Sequence, residues 1–72
     1  MSKSIGFIGG GAMATGIIKG ILSANTLTAE EIYVKELLPE RQVYLKETYG
    51  LQLADSLKEL AEKAKVLVLA GR

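Results

Sequence analysis

The chain has 72 residues and a net charge of +1, from nine basic and eight acidic side chains, so it makes one domain at most and buries only about 60% of the surface its unfolded form exposes. Hydrophobic content of 49% and charged content of 24% give it something to fold around and exclude intrinsic disorder. Zero Cys and zero His exclude disulfides, thiolate nucleophiles, imidazole bases and thiolate or imidazole metal sites within these residues. Basic residues form no block, and one Phe and three Tyr are all that could stack on bases, which leaves nucleic-acid binding without support. The lack of Cys is compatible with a cytoplasmic protein. A signal-peptide reading of Lys3 and the apolar stretch after it fails on that stretch's four glycines, and no apolar run approaches the roughly 20 residues of a membrane span.

Residues 4–8 form a short apolar run ending in glycines, the pattern of a central parallel strand covered on both faces. Gly9, Gly10, Gly11, Ala12, Met13 and Ala14 follow as G-x-G-x-x-A, leading into helical spacing. A strand, this turn and a helix together make the dinucleotide-binding fingerprint. Gly9 permits the tight turn, Gly11 lets the main chain approach a pyrophosphate, and Ala14 lets the helix lie close to the strand. The unpaired amides at the helix start face the phosphates, where the helix dipole adds favourable charge.

Met13, Ile17, Ile18, Ile21 and Leu22 trace an apolar stripe along that first helix, with Met13 read as core packing. Gly16 and Gly20 each cost about 1 kcal/mol relative to Ala in a helix interior, which suggests close packing against a neighbour. Thr28 and Glu31 have capping-box spacing, with Leu27 and Ile32 as a hydrophobic staple around a one-turn helix. A strand over residues 32–34 is expected next, extending at most through Lys35 and Glu36. Pro39 starts a second helix that runs to about Tyr49, with Gly50 as its C-terminal cap. Residues 51–53 form a short strand, and Asp55 or Ser56 caps a third helix with Leu57, Leu60, Ala61 and Ala64 on one side. Residues 66–69 make the last strand. The order is that of one α/β nucleotide-binding half: a Rossmann-like, mostly parallel sheet with helices on both faces.

Glu36 stands 22 residues after Ala14, where an acid can hydrogen-bond the adenosine ribose hydroxyls, and read alone it favours NADH. Lys35 and Arg41 beside it could instead meet a 2′-phosphate, so NADH and NADPH both stay open, as does a plain solvated strand end. Tyr33, Tyr44 and Tyr49 sit where packing asks for an apolar body. The pairs Glu30 with Glu31 and Glu59 with Glu62 fit helical turns better than acid and base chemistry. Ser56 and Thr15 have no activating base, and no residue earns a catalytic role.

The segment IGFIGGGAMATGIIK, residues 5–19, resembles the opening strand, glycine turn and first helix of the pyrroline-5-carboxylate reductases, including the Met13-Ala14 pair. Residues 32–41 are similar to that family's second strand, followed by Pro-Glu and a basic residue, and residues 50–70 to its third helix and fourth strand. The resemblance implies that residues 1–72 are an N-terminal NAD(P)-binding domain, truncated relative to the full family. It also implies a reductase delivering hydride from NADH or NADPH to the C=N carbon of 1-pyrroline-5-carboxylate to give L-proline. On this resemblance the cofactor touches Gly9, Gly10, Gly11, Ala12, Met13, Ala14, Lys35, Glu36 and Ala70, while a second, helical domain builds the substrate site in a homo-oligomer. Three departures stand out. Ala70-Gly71-Arg72 replaces the family's Ala-Val-Lys-Pro, Leu57 stands where many relatives carry a cofactor-contacting Asn, and Glu36-Leu37 replaces small, polar or basic residues associated with NADPH. Another Rossmann dehydrogenase, of the 3-hydroxyacid type or a coenzyme-linked NADP reductase, is an alternative, as is a non-catalytic nucleotide-sensing module that pairs through its sheet edge.

Overall fold

Short apolar runs punctuated by glycine, proline and capping residues become strands and helices in strict alternation in the computed structural model, which describes residues 4–9 and 11–69. In chain order these are β1 (Ile5–Ile8), α1 (Ala12–Ser23), a one-turn 3-10 helix (Ala29–Glu31), β2 (Ile32–Lys35), α2 (Pro39–Tyr49), β3 (Gln52–Leu53), α3 (Leu57–Lys63) and β4 (Val66–Leu69). The strands pair in parallel in the order β3-β2-β1-β4. The register sets Ile8 opposite Lys35 on one side and Leu69 on the other, so the carboxyl ends of β2 and β4 flank the turn that leaves β1.

Helices cover both faces, as the sequence suggests. Successive right-handed crossovers from β1 to β2 to β3 run in one direction and put α1 and α2 on one face; the return to β4 puts α3 on the other. Phe7, Ala14, Ile18, Ile32, Val34, Leu45 and Leu51 form the core under α1 and α2. On the opposite face, fully buried Leu60 of α3 lies against Gly6. A methyl group at Gly6 would come within 2.8 Å of Leu60 Cδ1 and 2.9 Å of Ala64 Cβ, so the absence of a side chain there is what lets α3 seat on β1.

The connections follow their local chemistry. Thr28 N–H donates to Glu31 Oε1 at 2.9 Å, closing the expected capping box, and Leu27 and Ile32 both reach the core. Pro39 opens α2 and Gly50 ends it at φ 73. Ser56 accepts the Glu59 N–H at 3.1 Å, while the Glu59 carboxylate accepts the Asp55 N–H at 2.7 Å, one residue earlier than a standard capping box.

Three expectations are corrected. Met13 is 66% exposed and Ile17 39% exposed, because α1 turns Ala14 and Ile18 to the sheet; the apolar pattern of Met13 and Ile17 continues onto a flank that the described residues leave uncovered. Leu57 and Ala61 are likewise exposed, leaving Leu60 of α3 and the half-buried C-cap Ala64 to meet the sheet. Gly16 and Gly20 have open space where a side chain would stand, so no described residue uses them for close packing. Gly20→Ala is therefore expected to raise stability by about 1 kcal/mol through helix propensity and a less flexible unfolded chain, read as a higher urea midpoint with unchanged slope.

Among the described residues no helix is long and apolar enough to cross a membrane, and no group of three or more His, Cys, Asp or Glu could hold a metal ion.

Candidate dinucleotide site

The turn after β1 is built from backbone. Gly9 has φ 96, a left-handed conformation that L side chains rarely adopt, and its N–H donates to the Lys35 carbonyl at 2.9 Å. That bond carries the β1–β2 ladder one residue beyond the strand and ties the turn to the carboxyl end of β2. Gly10 lies outside the described residues. Gly11 is the N-cap of α1 at φ −76 and ψ −167, ordinary extended backbone. Its distinction is steric: a Cβ at Gly11 would meet nothing within 4 Å, so the missing side chain leaves an open cradle in front of the helix.

Thr15 holds that cradle in place. Both its N–H and its hydroxyl donate to the Gly11 carbonyl, at 2.9 and 3.0 Å. The first-turn amides of Ala12, Met13 and Ala14 lie at the positive end of the 12-residue helix, which has no side-chain cap and no acidic residue in its first turn. Donors of this kind suit an anion. Ala14 is fully buried, so its small side chain is the contact that brings the helix start down onto the sheet. Met13 beside it is exposed.

At the end of β2, Ile32, Val34 and Glu36 are buried in alternation with half-buried Tyr33 and Lys35. Lys35 and Glu36 therefore address opposite faces: Glu36 follows the face of α1 and α2, whereas Lys35 contributes its carbonyl to Gly9. Glu36 is 9% exposed, and its Oε2 accepts the Leu38 N–H at 3.0 Å. Its carbonyl accepts from Gln42 Nε2 at 2.6 Å. The acid thus closes the turn into α2 and is held beside the glycine turn. Leu37 and Leu38, which follow it, and Leu57 at the start of α3 are exposed. Ala70 lies outside the described residues, next in the chain after Leu69.

The arrangement can hold a phosphate-linked dinucleotide across the carboxyl edge of the sheet, with backbone donors for the pyrophosphate and a carboxylate at the ribose position. Among the described residues it contains no constellation for acid, base or nucleophilic chemistry. Thr15, Gln42 and Gly6 were not among the expected site or packing residues. A glycine inside a strand pattern is a sign of close backbone approach and could have marked Gly6. The bond of Thr15 to Gly11 has a weaker sign, since a threonine four residues into a helix usually packs or faces solvent.

The chain is 39% identical over 70 residues to the pyrroline-5-carboxylate reductase of Synechocystis sp., covering 97% of this chain and 26% of that protein. It is 31% identical to the Escherichia coli pyrroline-5-carboxylate reductase, again over 97% of this chain and 26% of the relative. The solved structure of a pyrroline-5-carboxylate reductase from Coxiella burnetii superimposes with a TM-score of 0.84 at 33% identity, over 97% of this chain and 26% of that one. The chain thus spans about a quarter of the length of the relatives it matches. These matches bear out the resemblance read from residues 5–19, 32–41 and 50–70, together with the Rossmann-like fold. Over residues 4–72 the sequence matches one family throughout, and the chain belongs to that family, described as NADP oxidoreductase, coenzyme F420-dependent.

Proposed function

We propose that this chain is the N-terminal NAD(P)H-binding unit of a cytoplasmic pyrroline-5-carboxylate reductase, which reduces 1-pyrroline-5-carboxylate to L-proline. The observation that carries the reading is the open cradle at Gly11, set between the carboxyl ends of β2 and β4 in a chain whose relatives bear that enzyme's name. NADH or NADPH supplies the hydride when bound. The residues of this chain bind and orient: Gly9 and Gly11 admit the pyrophosphate, the amides of Ala12, Met13 and Ala14 donate to it, and Glu36 meets the ribose. Gly10, Lys35 and Ala70 belong to the same proposed contact set. On the family resemblance, the imine site, the catalytic groups and the homo-oligomer contacts belong to a second, helical domain, so residues 1–72 alone are expected to bind cofactor and reduce nothing.

Joining this chain to the downstream three-quarters of the Synechocystis relative tests the reductase reading. NAD(P)H oxidation driven by 1-pyrroline-5-carboxylate is the expected result. A folded chimera that binds NAD(P)H yet turns over only a 3-hydroxyacid, or nothing at all, would point to the dehydrogenase or sensing alternatives.

Glu36 gives a sharper test within the site. Its carboxylate next to the ribose opposes a 2′-phosphate by like charge. Glu36→Ser keeps an acceptor able to bond the N–H two residues on while removing that charge. The ratio of NADPH to NADH affinity should rise by about three- to tenfold, on the scale of 1.4 kcal/mol per tenfold. An unchanged ratio in calorimetric titrations would remove Glu36 from cofactor selection.

A further inference from the structure

The carbonyls at the end of β2 turn alternately to its two neighbouring strands. Val34 accepts the Ala54 N–H just past β3, and Lys35 accepts the Gly9 N–H just past β1, each at 2.9 Å. The Glu36 carbonyl follows in turn towards the β3 side, beyond the last β2–β3 pair, Val34 with Leu53. There Gln42 Nε2, from the fourth residue of α2, donates to it at 2.6 Å, and a side-chain amide continues the pattern that the strand leaves off. We propose that Gln42 is a positioning residue for cofactor recognition, fixing through the Glu36 main chain where the Glu36 carboxylate meets the adenosine ribose. The proposal rests on the dinucleotide reading above and adds to it a residue that acts without touching the cofactor.

Two consecutive peptide planes meet at the Glu36 Cα. The one before it is tied to the glycine turn through the Lys35 carbonyl, and the one after it to α2 through Gln42. Peptide units are planar, so holding both fixes φ and ψ at Glu36, and with them the direction in which its side chain leaves the main chain. The carboxylate is then held at its far end by the Leu38 N–H, 3.0 Å from Oε2. Because Gly9 bonds the preceding carbonyl, the same strand end is also the reference for the pyrophosphate cradle. Glycine turn and carboxylate thereby keep a set spacing before any cofactor arrives, and a binding group already in place loses less freedom on binding.

Gln42 suits this task by its seat and its chemistry. It is half-buried, and its own N–H bonds the Leu38 carbonyl at 3.0 Å. Backbone and side chain of one residue thus grip both ends of the connection over residues 36–38. The side-chain amide is a neutral donor, so it orders the acid without adding charge of its own. The carboxylate keeps its capacity to accept from the ribose hydroxyls and to oppose a 2′-phosphate.

Calorimetric titration of the 72-residue chain with NADH and with NADPH tests this in the parent, Gln42→Met, Glu36→Ser and the double variant. Met keeps the length and helix propensity of Gln without its donor. Gln42→Met should weaken NADH by about threefold or more while NADPH changes by less than about twofold, the scale of one lost hydrogen bond read as affinity. In the Glu36→Ser background the same substitution should move neither cofactor by more than about twofold, because the carboxylate it positions is gone. Gln42→Ala places the best helix former there and repeats the comparison should Gln42→Met unfold. A Gln42 variant that circular dichroism shows to be folded, yet weakens both cofactors alike or weakens NADH equally with and without Glu36, would overturn the positioning role and leave the dinucleotide reading standing. Unchanged affinity for both cofactors would do the same. Binding of neither cofactor by the folded parent chain would overturn both.

Discussion

Gly6→Val should leave the chain largely unfolded at room temperature, and Gly6→Ala should already lower its melting temperature by about 10 °C or more. At this position even a methyl group meets Leu60 Cδ1 at 2.8 Å and Ala64 Cβ at 2.9 Å. Leu60 is fully buried and has little room to turn away. The Ala64 methyl is fixed to the backbone, so the end of α3 would have to lift from β1. Overpacking of this kind costs about 1–3 kcal/mol for a small group and more for a branched one. A domain of 72 residues has only about 4–11 kcal/mol of stability to lose, and each kcal/mol moves the midpoint by about 4–8 °C in a chain of this size. Thermal unfolding followed by circular dichroism measures the effect. A Gly6→Val chain as stable as the parent would show that α3 does not seat on β1 as described.

Gly11→Val should have the opposite signature: an intact fold and no cofactor binding. The φ of −76 at Gly11 is open to any residue, and its Cβ would enter empty space. As an N-cap, Gly ranks above Val, and the loss of stability should stay within about 1 kcal/mol. The same empty space is the proposed seat of the pyrophosphate, so a branched side chain there should weaken NADH and NADPH by more than tenfold. Urea unfolding and calorimetry on the same preparation separate the two effects. Undiminished affinity in the folded variant would move the dinucleotide away from this turn.

The alternation of strand and helix was legible because its boundaries are written in local chemistry. Pro39 opens α2, Gly50 closes it, Ser56 and Thr28 hold helix starts, and Gly9 takes the positive φ that the turn needs. The parallel sheet was legible in the alternation of strand and helix, whereas the order β3-β2-β1-β4 was not, because crossover handedness fixes the face of each helix and leaves open the side on which the next strand adds. Side-chain direction was less legible. Met13 and Ile17 share the apolar periodicity of α1, yet the seat of that helix is set by Ala14, whose small size decides how closely it approaches β1. Periodicity reports which residues are apolar, while the axis of packing is set by the smallest residue at the contact. Lys35 and Glu36 look equivalent as neighbours in sequence and differ once strand alternation sends them to opposite faces.

The central claim is that a dinucleotide sits on the glycine turn, and backbone amide NMR of the 72-residue chain during titration with NADPH tests it most directly. The account predicts saturable shifts concentrated at Gly9, Gly11, Ala12, Met13 and Ala14 and at the end of β2 around Glu36, with β3 and the last turn of α2 little changed. Shifts confined to other surfaces, or a folded chain whose glycine-turn amides do not move at saturating cofactor, would contradict it.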